Sequence, residues 1–257
     1  MRAHVRKPPI PSDIIMDNQT LIKIVDTILR RTRASIGQLL GTGKASLSSV
    51  ISTVGDEMGD IASGAESLAK QGAEAVGQSL HEIAGNALTV SETVAGDLQQ
   101  QVDGMISKVA KLEESLASIE AREKSALEQA KGIAANAEKG VNKALSQANQ
   151  KIASTADDLY QEVQNALLGA RDEIKKEAKS LGPVAERALE DLKKESRESL
   201  NDIKNQAIES TAKLAQGTIS SVKDTVMTTV SQVTAPIKDT INEQKTALQN
   251  AIKSGKE

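Results

Sequence analysis

Between Ala215 and Ile252 the apolar residues of this chain return every eleven positions. Ala215, Ile219 and Val222 are followed by Val226, Val230 and Val233, then by Ile237, Ile241 and Gln244, then by Leu248 and Ile252. The steps are of four, three and four residues, whereas a half-buried strand steps by twos. Three turns in eleven residues correspond to about 3.67 residues per turn, close to the α-helical value. A stretch so rich in Val, Ile and Thr has the composition of a strand. The spacing nevertheless predicts a helix, in which the stiff β-branched side chains cost a little propensity.

The same period runs through the preceding segment in a neighbouring phase. It passes through Val141, Leu145 and Ala148, then Ile152, Ala156, Leu159, Val163, Leu167, Ala170, Ile174, Ala178 and Leu181, and on through Ala185, Leu189 and Leu192. Ser196 and Thr211 weaken it before a slip of about one residue near Gly217. Upstream the period shortens to seven, over Val102, Met105, Val109, Leu112, Leu116, Ile119, Glu123 and Ala126, and more loosely over Ile51, Val54, Met58, Ile61, Ala65 and Leu68. Seven-residue periods favour left-handed winding and eleven-residue periods a right-handed or nearly straight one. The expected fold is all-α: extended long helices, coiled-coil-like and non-globular. Composition agrees, because the 257 residues include no Phe, Trp or Cys and a single Tyr, Tyr160, and aromatic side chains dominate ordinary cores. The residues expected to form a seam against another surface are Ile152, Leu159, Val163, Leu167, Ile174, Leu181, Leu189, Leu192, Ile219, Val226, Val230, Val233, Ile237 and Ile241.

Residues 1–17, with Pro8, Pro9 and Pro11 among Arg2, Arg6 and Lys7, read as a basic extended arm. A short amphipathic helix is predicted over 18–41, capped by Asp17 or Asn18, with Leu21, Val25, Ile28, Ser35 or Ile36, and Leu39 on its face. Gly41 and Gly43 mark a joint, after which a long helical rod is predicted over 44–181. Its first part, to about residue 104, is acidic and Gly-rich, and each interior Gly lowers helix stability by about 1 kcal/mol relative to Ala. Gly182-Pro183 is a kink or a reversal, with the continuous hydrophobic phase favouring a kink, and a second helical segment follows over 183–253. Pro236 is a second candidate bend.

The net charge of −3 conceals three blocks: residues 1–44 carry +5, residues 45–104 carry −8, and the remainder balances. Arg30, Arg31, Arg33 and Lys44 form a basic patch. Its expected partner is first the acidic block 45–104, in the same or another chain, and then RNA or anionic lipid. No aromatic stacking platform accompanies the patch, so an RNA contact is weakly supported and would run through phosphates alone.

Motifs that resemble catalytic or metal sites fail on inspection. Gly37–Ser46 reads GQLLGTGKAS, but Gln38 stands where a phosphate-binding loop has its first Gly, and Ala45 where it has Ser or Thr. His81-Glu82 begins like a zinc-protease helix, but position 85 is Gly and the chain has only His4 besides. No Cys is present for a disulfide, a thiolate site or a nucleophile. The expectation is a protein that is not an enzyme, with no cofactor and no metal. No stretch has the roughly 18 apolar residues of a membrane span. The N-terminus lacks a secretory core, and Asp13, Asp17 and Asp26 count against an organelle transit peptide. The expected location is the cytoplasm or a virion.

Two classes of function fit these features. In the first, the seam pairs with another copy of the chain, making a homo-oligomeric structural protein that is an accessory part of a larger assembly such as a virus particle. In the second, it lies on lipid. The segment VKDTVMTTVSQVTAPIKDTI, and residues 126–253 more widely, resemble the eleven-residue amphipathic repeats of exchangeable apolipoproteins, perilipins and late-embryogenesis-abundant proteins. That resemblance implies reversible coating of a lipid surface. The chain departs from those families in its seven-residue stretch, its acidic Gly-rich third and its lack of interfacial Trp or Phe. The oligomeric structural protein is the favoured expectation.

Overall fold

The computed structural model describes residues 18–89, 98–177 and 182–254, and every one of them is helical. The chain is all-α, with three helices: α1 (Asn18–Thr89), α2 (Leu98–Glu177) and α3 (Gly182–Ser254). The Val-, Ile- and Thr-rich stretch lies inside α3. Three of its hydroxyls are satisfied without leaving the helix: Thr218, Thr229 and Thr240 each donate to the carbonyl four residues earlier, at 2.8–2.9 Å.

The three helices contribute to two packing units. The first contains α1 up to Ile51 together with Asn149–Glu209. Within it, Arg31 pairs with Glu173, and further along α1 Gly43 lies against Leu159, so α1 and α2 are antiparallel. Arg171 faces Glu186 while Ile152 packs with Ala207, so α2 and α3 are antiparallel too. The segment around Gly182-Pro183 therefore accompanies a reversal, not the kink that the continuous phase favoured. Phase is a property of one helix face, and a chain that turns back keeps its period. α3 starts at Gly182, which places Pro183 in its first turn, where the missing N–H breaks no helical bond. The core of this unit is aliphatic, with Ile28, Ile36, Val163, Ile174 and Leu200 among its buried members.

The second unit contains Ser52–Ala148 and α3 from Ser210 onward. Ile61 lies on Gly140, and Ser79 accepts from Arg122, again an antiparallel pair. Glu138, Glu123 and Glu113 meet Lys223, Lys238 and Lys245 in that order, which sets α3 antiparallel to α2. One core here is built largely of alanine, including Ala65, Ala69, Ala126, Ala130 and Ala137. Small side chains let the helices approach closely: a Cβ added at Gly77 would lie 2.9 Å from Val233 Cγ1.

Several expected boundaries change. The short helix 18–41 and the joint at Gly41 and Gly43 are absent, because α1 runs unbroken to Thr89. Gly41 faces open space and Gly43 is a seam position beside the Leu159 side chain, so neither glycine is used to turn the chain. The predicted rod 44–181 is divided between α1 and α2, which run in opposite directions. The buried positions of α1 include Leu21, Val25, Ile28, Thr32, Ile36, Leu47, Val54, Met58, Ala65, Ala69, Ala73 and Leu80, and Val54 to Ala65 and Met58 to Ala69 are steps of eleven. The looser seven-residue reading of 51–68 therefore fails at its end, where Leu68 is 56% exposed and Ala69 takes the inner place. Residues 1–17, the predicted arm, lie outside the described residues.

Candidate interaction surfaces

The seam was expected to meet another surface, and it meets the chain's own helices. Ile152, Val163, Ile174, Val226 and Ile241 are at most 2% exposed, and Leu159, Leu167, Leu189, Leu192, Val230 and Ile237 are buried as well. Ile219 and Val233 are half-buried, and Leu181 lies outside the described residues. At the last of these turns the fully buried residue is Thr234, not its apolar neighbour. Spacing alone assigned Val233, because a threonine reads as a surface residue until its partner is known.

That partner is Glu123, the one acid in the seven-residue run. Its carboxylate accepts from Thr234 Oγ1 at 2.9 Å and from Lys238 Nζ, and its side chain is 22% exposed. The Lys238 hydrogen bond, opposed by partial burial and helped by the Thr234 bond, holds the carboxyl below the ordinary glutamate value of 4.5. A carboxyl lowered in the folded state stabilises it fully above its ordinary value, and that stabilisation is lost as the pH falls through the depressed one. Thermal unfolding followed from about pH 5 to about pH 3 is expected to fall more steeply for the native chain than for Glu123→Gln. Equal slopes would show that Glu123 carries no such linkage.

The basic patch is engaged inside the first unit. Arg30 pairs with Asp26 at 2.9 Å, Arg31 with Glu173 at 3.6 Å and Arg33 with Glu195 at 2.8 Å, while Lys44 is exposed. Within the chain the arginines thus answer carboxylates of their own unit and not the acidic block. Asp56, Glu57, Asp60, Glu66, Glu74 and Glu82 of that block are exposed and take part in none of the ion pairs among the described residues. The arginine pairs are solvent-facing, and such pairs contribute at most about 1 kcal/mol each. Arg33→Ala is expected to lower unfolding stability by under about 1 kcal/mol and to do less at high salt. A larger loss would mean that the Arg33 stem, not its charge, packs the α1–α3 contact.

A shallow groove between α2 and α3 in the first unit is lined by Leu167, Leu168, Arg171, Glu186, Leu189 and Lys193. Gln164 borders it, with a buried Nε2 that has no hydrogen-bond partner. Tyr160 packs half-buried on the adjacent core. His81 is exposed, with Nδ1 3.1 Å from the Gly77 carbonyl. Among the described residues no group of His, Asp and Glu has the geometry of a metal site. No described helix is long and apolar enough to cross a membrane.

No protein-family model matches the chain, and no curated protein matches it. Among solved structures, the chain is similar to a computationally designed three helix bundle, at 14% identity and a TM-score of 0.47 over 92% of this chain and 98% of that one.

Proposed function

We propose that the chain is a non-enzymatic helical structural protein, an accessory component of a larger assembly such as a virus particle, whose folded unit is a single-chain bundle. One observation carries this reading: the apolar seam is filled from within, with Ile152, Val226 and Ile241 at 0% exposure. A seam satisfied inside one chain leaves polar, charged outer faces for partners. Self-association through the seam itself then requires the helices to separate and re-pair with those of a second copy, as in domain swapping.

A second reading, reversible lipid binding, is favoured by the one-sided apolar faces that each helix would present if the bundle opened. Size-exclusion light scattering and circular dichroism, without and with vesicles of mixed neutral and anionic phospholipid, separate the two. The structural reading expects a strongly helical 27.1 kDa species in buffer that does not bind vesicles. A chain that gains its helicity on vesicles, or cosediments with them, replaces it with the lipid reading. A swapped homo-oligomer in buffer keeps the structural role and moves the seam to the interface between copies.

A further inference from the structure

Within α3, Pro236 interrupts the ladder of helical hydrogen bonds. A proline there donates nothing to the carbonyl of Gln232, and its ring crowds that turn. Two polar side chains bracket the interruption, Thr234 two residues before it and Lys238 two residues after. Both end on the same carboxylate of α2: Thr234 Oγ1 donates to Glu123 Oε1 at 2.9 Å, and Lys238 Nζ donates to Glu123 Oε2. Thr234 also donates to the Val230 carbonyl at 3.2 Å, which ties it to the intact helix on the near side. Glu123 therefore bridges the turn of α3 from which Pro236 removes a backbone hydrogen bond.

Beyond the proline, Ile237 and Ile241 are buried, Leu248 packs partly buried on the same cluster, and Lys245 reaches Glu113 at 2.8 Å, while no residue from 242 to 254 is fully buried. The two isoleucines cover Leu80 of α1 with Leu112 and Ile119 of α2, none of which is more than 2% exposed. A broken ladder at its base and a last stretch without fully buried residues are physical marks of a segment that opens before the rest of a fold.

We propose that α3 beyond Pro236 is a hinged lid over the Leu80–Leu112–Ile119 cluster, held shut by Glu123 across the hinge, and that it opens as a unit while the rest of the second unit stays folded. Opening uncovers the apolar side chains of Leu80, Leu112 and Ile119 on α1 and α2. The proposal goes beyond the structural role and does not depend on it.

Native-state hydrogen exchange on the full chain, read by mass spectrometry, tests it. Ordinary fraying gives rates that climb smoothly toward the C-terminus. A hinged lid gives a step at Pro236, with 237–248 exchanging at one common rate, roughly tenfold or more faster than 219–233. Glu123→Gln is expected to speed exchange of 237–248 by roughly tenfold to a hundredfold, the scale of a lost hydrogen bond to a charged group, and to leave 219–233 unchanged. Pro236→Ala restores the ladder and is expected to remove the step, a readout that stands even if Glu123→Gln fails to fold. A smooth gradient in the native chain overturns the lid. So does a step that survives Pro236→Ala, or equal acceleration of both segments in Glu123→Gln.

Discussion

Changing Gly37, Gly41, Gly59, Gly64 and Gly72 together to Ala is expected to raise unfolding stability by about 4–5 kcal/mol, close to 1 kcal/mol for each site. All five lie within α1, and a Cβ added at any of them meets nothing within 4 Å. The glycines thus carry the entropic cost of an unrestricted backbone with no packing gain from a missing side chain. Gly37 and Gly41 lie one helical turn apart and the other sites are spaced five residues or more along α1, so the effects should be close to additive. Gly77→Ala and Gly43→Ala are the controls, because the new methyl would crowd Val233 in one case and overlap the Leu159 side chain in the other. Neither is expected to give the gain of an open site. Denaturant unfolding by circular dichroism measures the difference, and a fivefold variant no more stable than the native chain would mean that α1 is not helical in solution across these positions.

Ile152→Ala is expected to have the largest opposite effect, a loss of about 2–5 kcal/mol. Ile152 is fully buried with Leu47 and Ala207, so truncation leaves a cavity between three helices of one chain. Its loss should therefore be independent of protein concentration. Leu168→Ala provides the contrast: Leu168 is 52% exposed, and its removal should change stability by no more than about 0.5 kcal/mol. If the midpoint for Ile152→Ala moved with protein concentration, the residue would be working at an interface between copies.

The helices and most of their inner faces were legible from spacing. Ile152, Val163, Ile174, Val226 and Ile241 stand at seam positions in the sequence and are buried in the bundle. In α1 the period was harder to follow, because Thr32 and Gly43 occupy inner positions where an apolar residue was sought. Thr32 fits because its hydroxyl donates to the Ile28 carbonyl at 2.9 Å, so its buried oxygen is satisfied locally. Gly43 fits because Leu159 fills the space its side chain leaves. Neither fact can be read from the α1 segment alone, since one needs the helix already formed and the other needs α2.

The change of direction between α1 and α2 left a weaker mark than the one before α3. The sequence between the two helices, VSETVAGD, has no proline, and its single Gly follows nine others between Gly37 and Gly85. Glycine is a signal for a turn only where it is rare, and here it also lies throughout a continuous helix. Glu123 was visible as an interruption of the seven-residue run, but its role depends on Thr234 and Lys238, more than a hundred residues later.

Periodicity prescribed helix and one apolar face per helix, because the angle between successive side chains is a local property of the backbone. What that face lies against was decided by tertiary structure. Removing an apolar stripe from water is favourable in proportion to its area and has no preferred direction. Another segment of the same chain, a second copy and a lipid surface therefore satisfy the same stripe almost equally. The folded chain resolves this choice through features that do not repeat: the opposite directions of α2 and α3, the close fit of Gly43 to Leu159, and the carboxylate of Glu123 between Thr234 and Lys238.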